Sequence, residues 1–186
     1  MSLSTLTPPA ALLDATDIVL RQALRLFPDE TDQDDLIDEL CLSAVAVAEG
    51  FTKRRFLTQT VRLTRDGFGC GALRLPVDPV QSVDQVVYVD GTGSDTVLSS
   101  ARYRLITSRV PVELHPAYGE SWPTPRPDRD AVTVDLVVGF GAASDVPRDI
   151  VQAVRLLVQC WYDDRRAQGS LPPPADALLK PWRLWL

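Results

Sequence analysis

His115 stands between Leu114 and Pro116, and it is the only histidine, so any mechanism that needs an imidazole base would have to use it. A serine nucleophile needs a neighbouring base and an orienting carboxylate, and a zinc centre needs a second imidazole or paired thiolates. His115 alone could supply the triad's base, but one imidazole without paired cysteines leaves a zinc site no ligand set. Cys41, Cys70 and Cys160 are widely spaced and form no Cys-x-x-Cys pair, which points to reduced thiols in a cytosolic product. Two of them fall within apolar helical patterns, where cysteine serves as a small buried hydrophobe.

Carboxylates and glycines give no stronger chemistry. The run Asp29-Glu30-Thr31-Asp32-Gln33-Asp34-Asp35 could gather a cation, but it lacks the glycine and terminal glutamate of a calcium loop. It reads instead as an N-cap followed by charges that suit the dipole of a helix. Gly67-Phe68-Gly69-Cys70-Gly71 precedes no helix, so a hairpin turn is expected rather than a phosphate cradle. Gly139-Phe140-Gly141 does precede a helix, yet it lacks the rest of a nucleotide-binding pattern. Asp163 and Asp164 are neighbours on a helix and face different directions, so they make no acid/base pair. No catalytic, cofactor-binding or metal-binding residue is assigned, and a small hydrolase built on Asp and His115 is kept only as an alternative.

The positioning elements begin with the clearest helix start in the chain, Ser144-Asp145-Val146-Pro147-Arg148-Asp149-Ile150. Ser144 or Asp145 can serve as N-cap, and Pro147 suits a first turn. Ile150, Val154, Leu157 and Trp161 then share one face, widened by Val151 and Val158. This long helix is expected over 146–167, with Arg165 and Arg166 near its negative end. Two earlier helices are expected over 14–27, stopped by Pro28, and over 34–52. The second carries Leu36, Leu40, Ala44, Val47 and Phe51 as a stripe, with Ile37, Cys41 and Ala48 alongside. Its small residues, Ala44 and Ala48 among them, would admit another helix, from the same subunit or a neighbour. Lys53, Arg54 and Arg55 follow its end, either as dipole partners or as contacts for an anion or an acidic neighbour.

Residues 3–9 read as loop. From 56 to 141 the period changes. Val132, Val134, Leu136 and Val138 alternate with Thr133, Asp135 and Val137, and Val86-Val87-Tyr88-Val89 runs into Asp90-Gly91, a hairpin signal. Turn signals recur at short intervals, so antiparallel strands are expected. Residues 116–130 read as an extended loop over the sheet, anchored by Trp122. Gly169 and Leu171-Pro172-Pro173-Pro174 announce a stop and a stiff spacer, and the chain ends Lys180-Pro181-Trp182-Arg183-Leu184-Trp185-Leu186. Such an end must be buried somewhere, on its own domain or on a partner. The fold class expected is α+β: a bundle of two N-terminal helices and one long C-terminal helix, a central antiparallel β-domain inserted between them, and an extended C-terminal tail. A main domain over 1–170 followed by a tail over 171–186 is the expected division.

Composition sets the outer bounds. Of 186 residues 45% are hydrophobic and 24% charged, which suits one soluble globular domain. No apolar run approaches the roughly 20 residues of a membrane span, and 1–9 has no signal-peptide pattern. The formal charge of −6 argues against a broad basic face for nucleic acid.

The order of features carries more than any one of them. Glu49-Gly50-Phe51-Thr52-Lys53-Arg54 closes a helix, and Gln59-Thr60 opens a strand. Leu75-Pro76-Val77-Asp78-Pro79-Val80-Gln81-Ser82-Val83, a tyrosine-bearing hairpin and Trp122-Pro123 follow. Val132-Thr133-Val134 leads to Gly139-Phe140-Gly141, Val146-Pro147 and finally Leu178-Leu179-Lys180-Pro181-Trp182-Arg183. This order, over about residues 10–184, resembles the head–tail connector (adaptor) proteins of long-tailed bacteriophages and gene transfer agents. Trp182 departs from the tyrosine the family carries before the arginine, aromatic for aromatic. The resemblance implies a structural role without turnover or cofactor: a homo-oligomeric ring, commonly of twelve, in the neck of a virion or gene transfer agent particle. It implies as partners a portal protein and a tail-side stopper or tail-terminator, with DNA passing through unbound and no membrane. It also implies that Leu178, Leu179, Pro181, Trp182, Arg183, Leu184, Trp185 and Leu186 meet the portal. Ala44, Ala48, Lys53, Arg54 and Arg55 are candidates for contacts between subunits. Another neck or tail-completion protein of the same particle is the nearest alternative.

Overall fold

Alternation along Val132–Val138 builds the central strand of a five-stranded sheet, because every second residue there is apolar and finds apolar partners on both sides. The computed structural model describes residues 2–27 and 29–185. Pro28, expected to stop the first helix, and Leu186, grouped with the tail contacts, lie outside the described residues. The strands are β1 (Ser2–Thr7), β2 (Gln59–Arg65), β3 (Leu73–Arg74), β4 (Val80–Val89), β5 (Asp95–Val97), β6 (Tyr103–Ile106), β7 (Glu113–Pro116) and β8 (Val132–Val138). The helices are α1 (Ile18–Ala23), α2 (Asp34–Thr52), α3 (Arg148–Asp163) and α4 (Pro173–Leu179). The chain is α+β, and contacts divide it into a β unit, Met1–Pro9 with Thr58–Phe140, and a helical unit, Ala10–Leu57 with Gly141–Trp185.

In the β unit the larger sheet runs β1-β2-β8-β4-β5 and the smaller β3-β7-β6, with antiparallel pairing throughout. Leu136 faces Val61 on one side and Val83 on the other, while Val134 faces Leu63 and Val86. A slip of one residue would turn this apolar set to water, so the register is strongly fixed. Leu73, Leu75 and Leu114, all fully buried, join the same core from the smaller sheet. Trp122 stacks on Phe68 with ring centres 4.7 Å apart, and its indole N–H donates to the Gly71 carbonyl at 2.6 Å. The 116–130 loop is thereby anchored.

Two expectations in this unit need correction. Residues 2–7 form strand β1 rather than loop, pairing Leu3 with Leu63 and Thr5 with Val61. The alternation of Leu3 with serine and threonine is too short to read without its distant partner. The glycines at 67–71 form no hairpin, because β2 and β3 belong to different sheets. Gly69 and Gly71 have φ of 76° and 96°, which a bend between sheets requires.

In the helical unit α3 buries Ile150, Ala153, Val154, Leu157, Val158 and Trp161, each large side chain worth about 1.5–3 kcal/mol on burial. It packs against α1, α2 and α4. Its start differs from expectation: Pro147 is the N-cap, while Asp145 turns back to accept from the Ala142 N–H at 2.9 Å. The helix ends at Asp163, and Arg165 and Arg166 belong to a following 3-10 turn. The first helix is shorter than expected, because Asp17 caps it by accepting from Leu20 N–H and Arg25 takes a left-handed conformation after it. Arg155 binds Asp17 through two hydrogen bonds at 3.2 and 2.9 Å, joining α1 to α3. Burial opposes the charge on Asp17, but the Arg155 bond and the helix N–H outweigh it and hold its pKa low.

The buried face of α2 is Ile37, Leu40, Cys41, Ala44 and Ala48, so the helix is turned from the expected stripe, leaving Leu36 and Leu42 exposed. The tail's outline is also corrected: residues 173–179 form α4, not an extended spacer. Pro173 and Pro174 occupy its first positions, where a missing N–H costs nothing.

Candidate functional site

The C-terminal segment is the place where unusual composition meets defined geometry. Ala175 and Leu179 are fully buried on α4, and a 3-10 turn over Lys180–Trp182 follows. The chain then extends and comes beside the end of α2, where Leu184 N–H donates to the Thr52 carbonyl at 2.8 Å. Arg54 Nε donates to the Trp182 carbonyl at 2.7 Å. Leu184 is 3% exposed, whereas Trp185 beside it is 71% exposed. The Arg183 guanidinium lies 5.2 Å from the Phe51 ring centre and 4.5 Å from that of Trp185, a cation held between two aromatic faces.

This arrangement divides the residues expected to meet a partner. Leu179 and Leu184 are core residues of their own subunit, so their assignment as partner contacts is corrected. Pro181, Arg183 and Trp185 are exposed, and Leu178 and Trp182 are half-buried. The cause is simple: a leucine at either end of the segment is used to fix it, and the residues between and beyond are left outward.

The proposed subunit-contact residues are likewise redistributed. Ala44 and Ala48 are fully buried in the helical unit, where their small size lets α2 approach its own neighbours; they are not surface residues. Lys53 takes a left-handed cap conformation, φ 59°, and its N–H bonds Glu49 O at 2.8 Å. Arg55 donates to Glu49 Oε2 at 2.7 Å, and Phe56 N–H to Oε1 at 2.8 Å, so Arg55 is engaged within the chain. Only Lys53 of these three is exposed; Arg54 and Arg55 are half-buried. Phe51, Thr52 and Glu49 were missed as parts of this site; the Gly50 to Arg55 turn after a long helix was the one available signal.

The catalytic alternative finds little geometry. His115 Nε2 lies 2.9 Å from Glu113 Oε2, and no nucleophile joins them in the hydrogen bonds of the described residues. The His115 bond lowers the Glu113 pKa against burial, with Arg109 adding to the effect. Cys41 is buried, and desolvation together with Asp38, Asp14 and Asp17 pushes its thiol up to about 12, so it is inert at neutral pH. Among the described residues no group of three or more His, Cys, Asp or Glu is placed to hold a metal.

No protein-family model matches the chain, and no curated protein matches it. Solved structures do. A chain in the neck of an empty gene transfer agent (GTA) particle, computed with C6 symmetry, superposes with TM-score 0.83 and 29% identity, covering 100% of this chain and 97% of that one. A chain of the virion of a native GTA particle gives 0.82 and 28%, with the same coverage. A third, in the neck of a native GTA particle computed with C12 symmetry, gives 0.80 and 26%, again over 100% and 97%. Over its whole length the chain is similar to chains of gene transfer agent neck and virion structures. The likeness spans both units, strands and helices alike.

Proposed function

We propose that this chain is a head–tail connector, the adaptor subunit of the neck: identical copies close into a ring of twelve beneath the portal, extend the DNA conduit and receive a tail-side stopper or terminator. It works as a structural part without turnover. The observation that supports this reading is the likeness over 100% of the chain to chains in GTA neck structures computed with C6 and C12 symmetry. A closed ring needs two different faces on each subunit, and a chain built of a β unit and a helical unit offers them. The portal contact falls to Trp185, with Pro181, Arg183 and the exposed parts of Leu178 and Trp182, while Leu179 and Leu184 hold the segment in place. A formal charge of −6 suits a conduit through which DNA slides without being gripped. Removing the gene from a particle-producing strain tests the role: heads that fill but carry no tails are expected, and normal tailed particles would contradict it.

A further inference from the structure

The outward face of the smaller sheet carries a cluster of positive charge that the adaptor reading does not use. Arg74 is aligned with Glu113 and Arg104 with His115, and residues aligned across an antiparallel pair share a face. Leu73, Leu114 and Leu105 point the other way, toward the core. Glu113 is only 8% exposed and sits at the centre of the cluster. His115 lies 2.9 Å from it, Arg109 3.3 Å and Arg74 3.5 Å. The arginines themselves reach into solvent: the side chains of Arg74 and Arg109 are 76% and 67% exposed, and Arg104 is exposed as well. Two arginines and a histidine thus contact one carboxylate, with Arg104 paired opposite that histidine, on a chain whose formal charge is −6.

We infer that this basic sheet face docks a second copy of the chain, through the acidic segment around Asp29 and Asp32 that leads into α2. The inference rests on the ring proposed above and names the two surfaces that would meet in it. Asp29, Asp32, Asp35 and Glu39 are all exposed, which makes that segment an acidic surface opposite in sign to the sheet face. A head-to-tail contact needs two unlike surfaces on every copy, and opposite charge supplies both attraction and a bar to self-pairing of like faces. Duplex DNA fits the cluster less well. Glu113 would stand among the phosphates, and the acidity of the whole subunit opposes approach of a polyanion.

The test uses the full chain in a particle-producing strain. Variants are Arg74→Glu/Arg104→Glu, Asp29→Arg/Asp32→Arg and all four together, with circular dichroism of each purified protein as the folding control. Copies of the chain per particle are counted by quantitative blotting, and necks are imaged by cryo-electron microscopy. Each reversal alone is expected to lower incorporation about tenfold or more, and the combined reversal to recover most of it. Rings that form normally with either reversal alone would overturn the inference and leave the adaptor reading standing. A wild-type chain absent from every neck would overturn both. Normal rings with loss of packaged DNA in the arginine variant would assign the face to DNA and overturn the inference. Should the arginine reversal unfold, Arg74→Gln/Arg104→Gln replaces it; a smaller loss of incorporation is then expected, and no loss counts against the inference.

Discussion

Arg62 grips Asp135 through two parallel bonds, Nε to Oδ1 at 2.7 Å and Nη2 to Oδ2 at 2.8 Å, across adjacent strands of the larger sheet. Gln85 adds a third bond to Oδ2 at 2.8 Å from the strand on the other side. The aspartate side chain is 4% exposed and the arginine 39%, so the carboxylate depends on this neighbour more than the reverse. The Arg62 bond, aided by Gln85, outweighs burial and lowers the Asp135 pKa.

Arg62→Leu should therefore cost about 1–3 kcal/mol, with solvent screening of the half-exposed arginine favouring the lower end. The pH dependence has a definite sign. With the folded pKa lowered, this stabilisation is whole above the unfolded value of about 3.9 and fades as pH falls through the lower folded value. Urea unfolding of both proteins at neutral pH and at about pH 2 checks it. The difference should be largest at neutral pH, and an equal difference at both would contradict the pairing.

Gly141 is required by its conformation and its neighbour. Its φ is +140°, and a Cβ there would run into the Asp145 carboxylate. Gly141→Ala should cost about 1–3 kcal/mol. Adding Asp145→Ala should recover only part, since the backbone strain remains. Thermal unfolding of the two variants distinguishes the contributions.

Opposite faces of α2 should respond differently to one change. Ala44 is fully buried and Ala46 exposed. Ala44→Leu should lower stability by about 1–3 kcal/mol through overpacking, whereas Ala46→Leu should stay within about 0.5 kcal/mol. Equal effects in thermal melts would place the core face elsewhere.

Neighbouring residues at the C-terminus should also separate. Leu184→Ala empties a buried position and should cost about 2 kcal/mol or more. Trp185→Ala should leave the melt nearly unchanged and weaken particle attachment. Deletion of residues 181–186 removes Leu184 with the rest and is expected to destabilise the helical unit as well as abolish attachment.

How much of this was legible in the sequence follows from where each signal lay. The face of α3 could be read because its polar and apolar residues segregate cleanly around the helix. In α2 both sides of the second half are apolar or small, from Cys41 to Ala48, so the period could not say which faced inward. Strand β1 depends on β2, more than fifty residues away, and its own six residues carry little pattern. The run Pro172-Pro173-Pro174 reads as extended, yet two of those prolines open a helix once Ala175 and Leu179 find a surface. At the candidate site, the composition of the tail was visible, but its attachment to Thr52, Arg54 and Phe51 joins positions some 130 residues apart. No local spacing encodes that.

Cryo-electron microscopy of particles carrying this chain, with density assigned at the neck, tests the central claim most directly. The expected map shows a closed ring of this chain beneath the portal, its Trp185 side chains lodged in portal density. A ring in that position built from a different protein would contradict it.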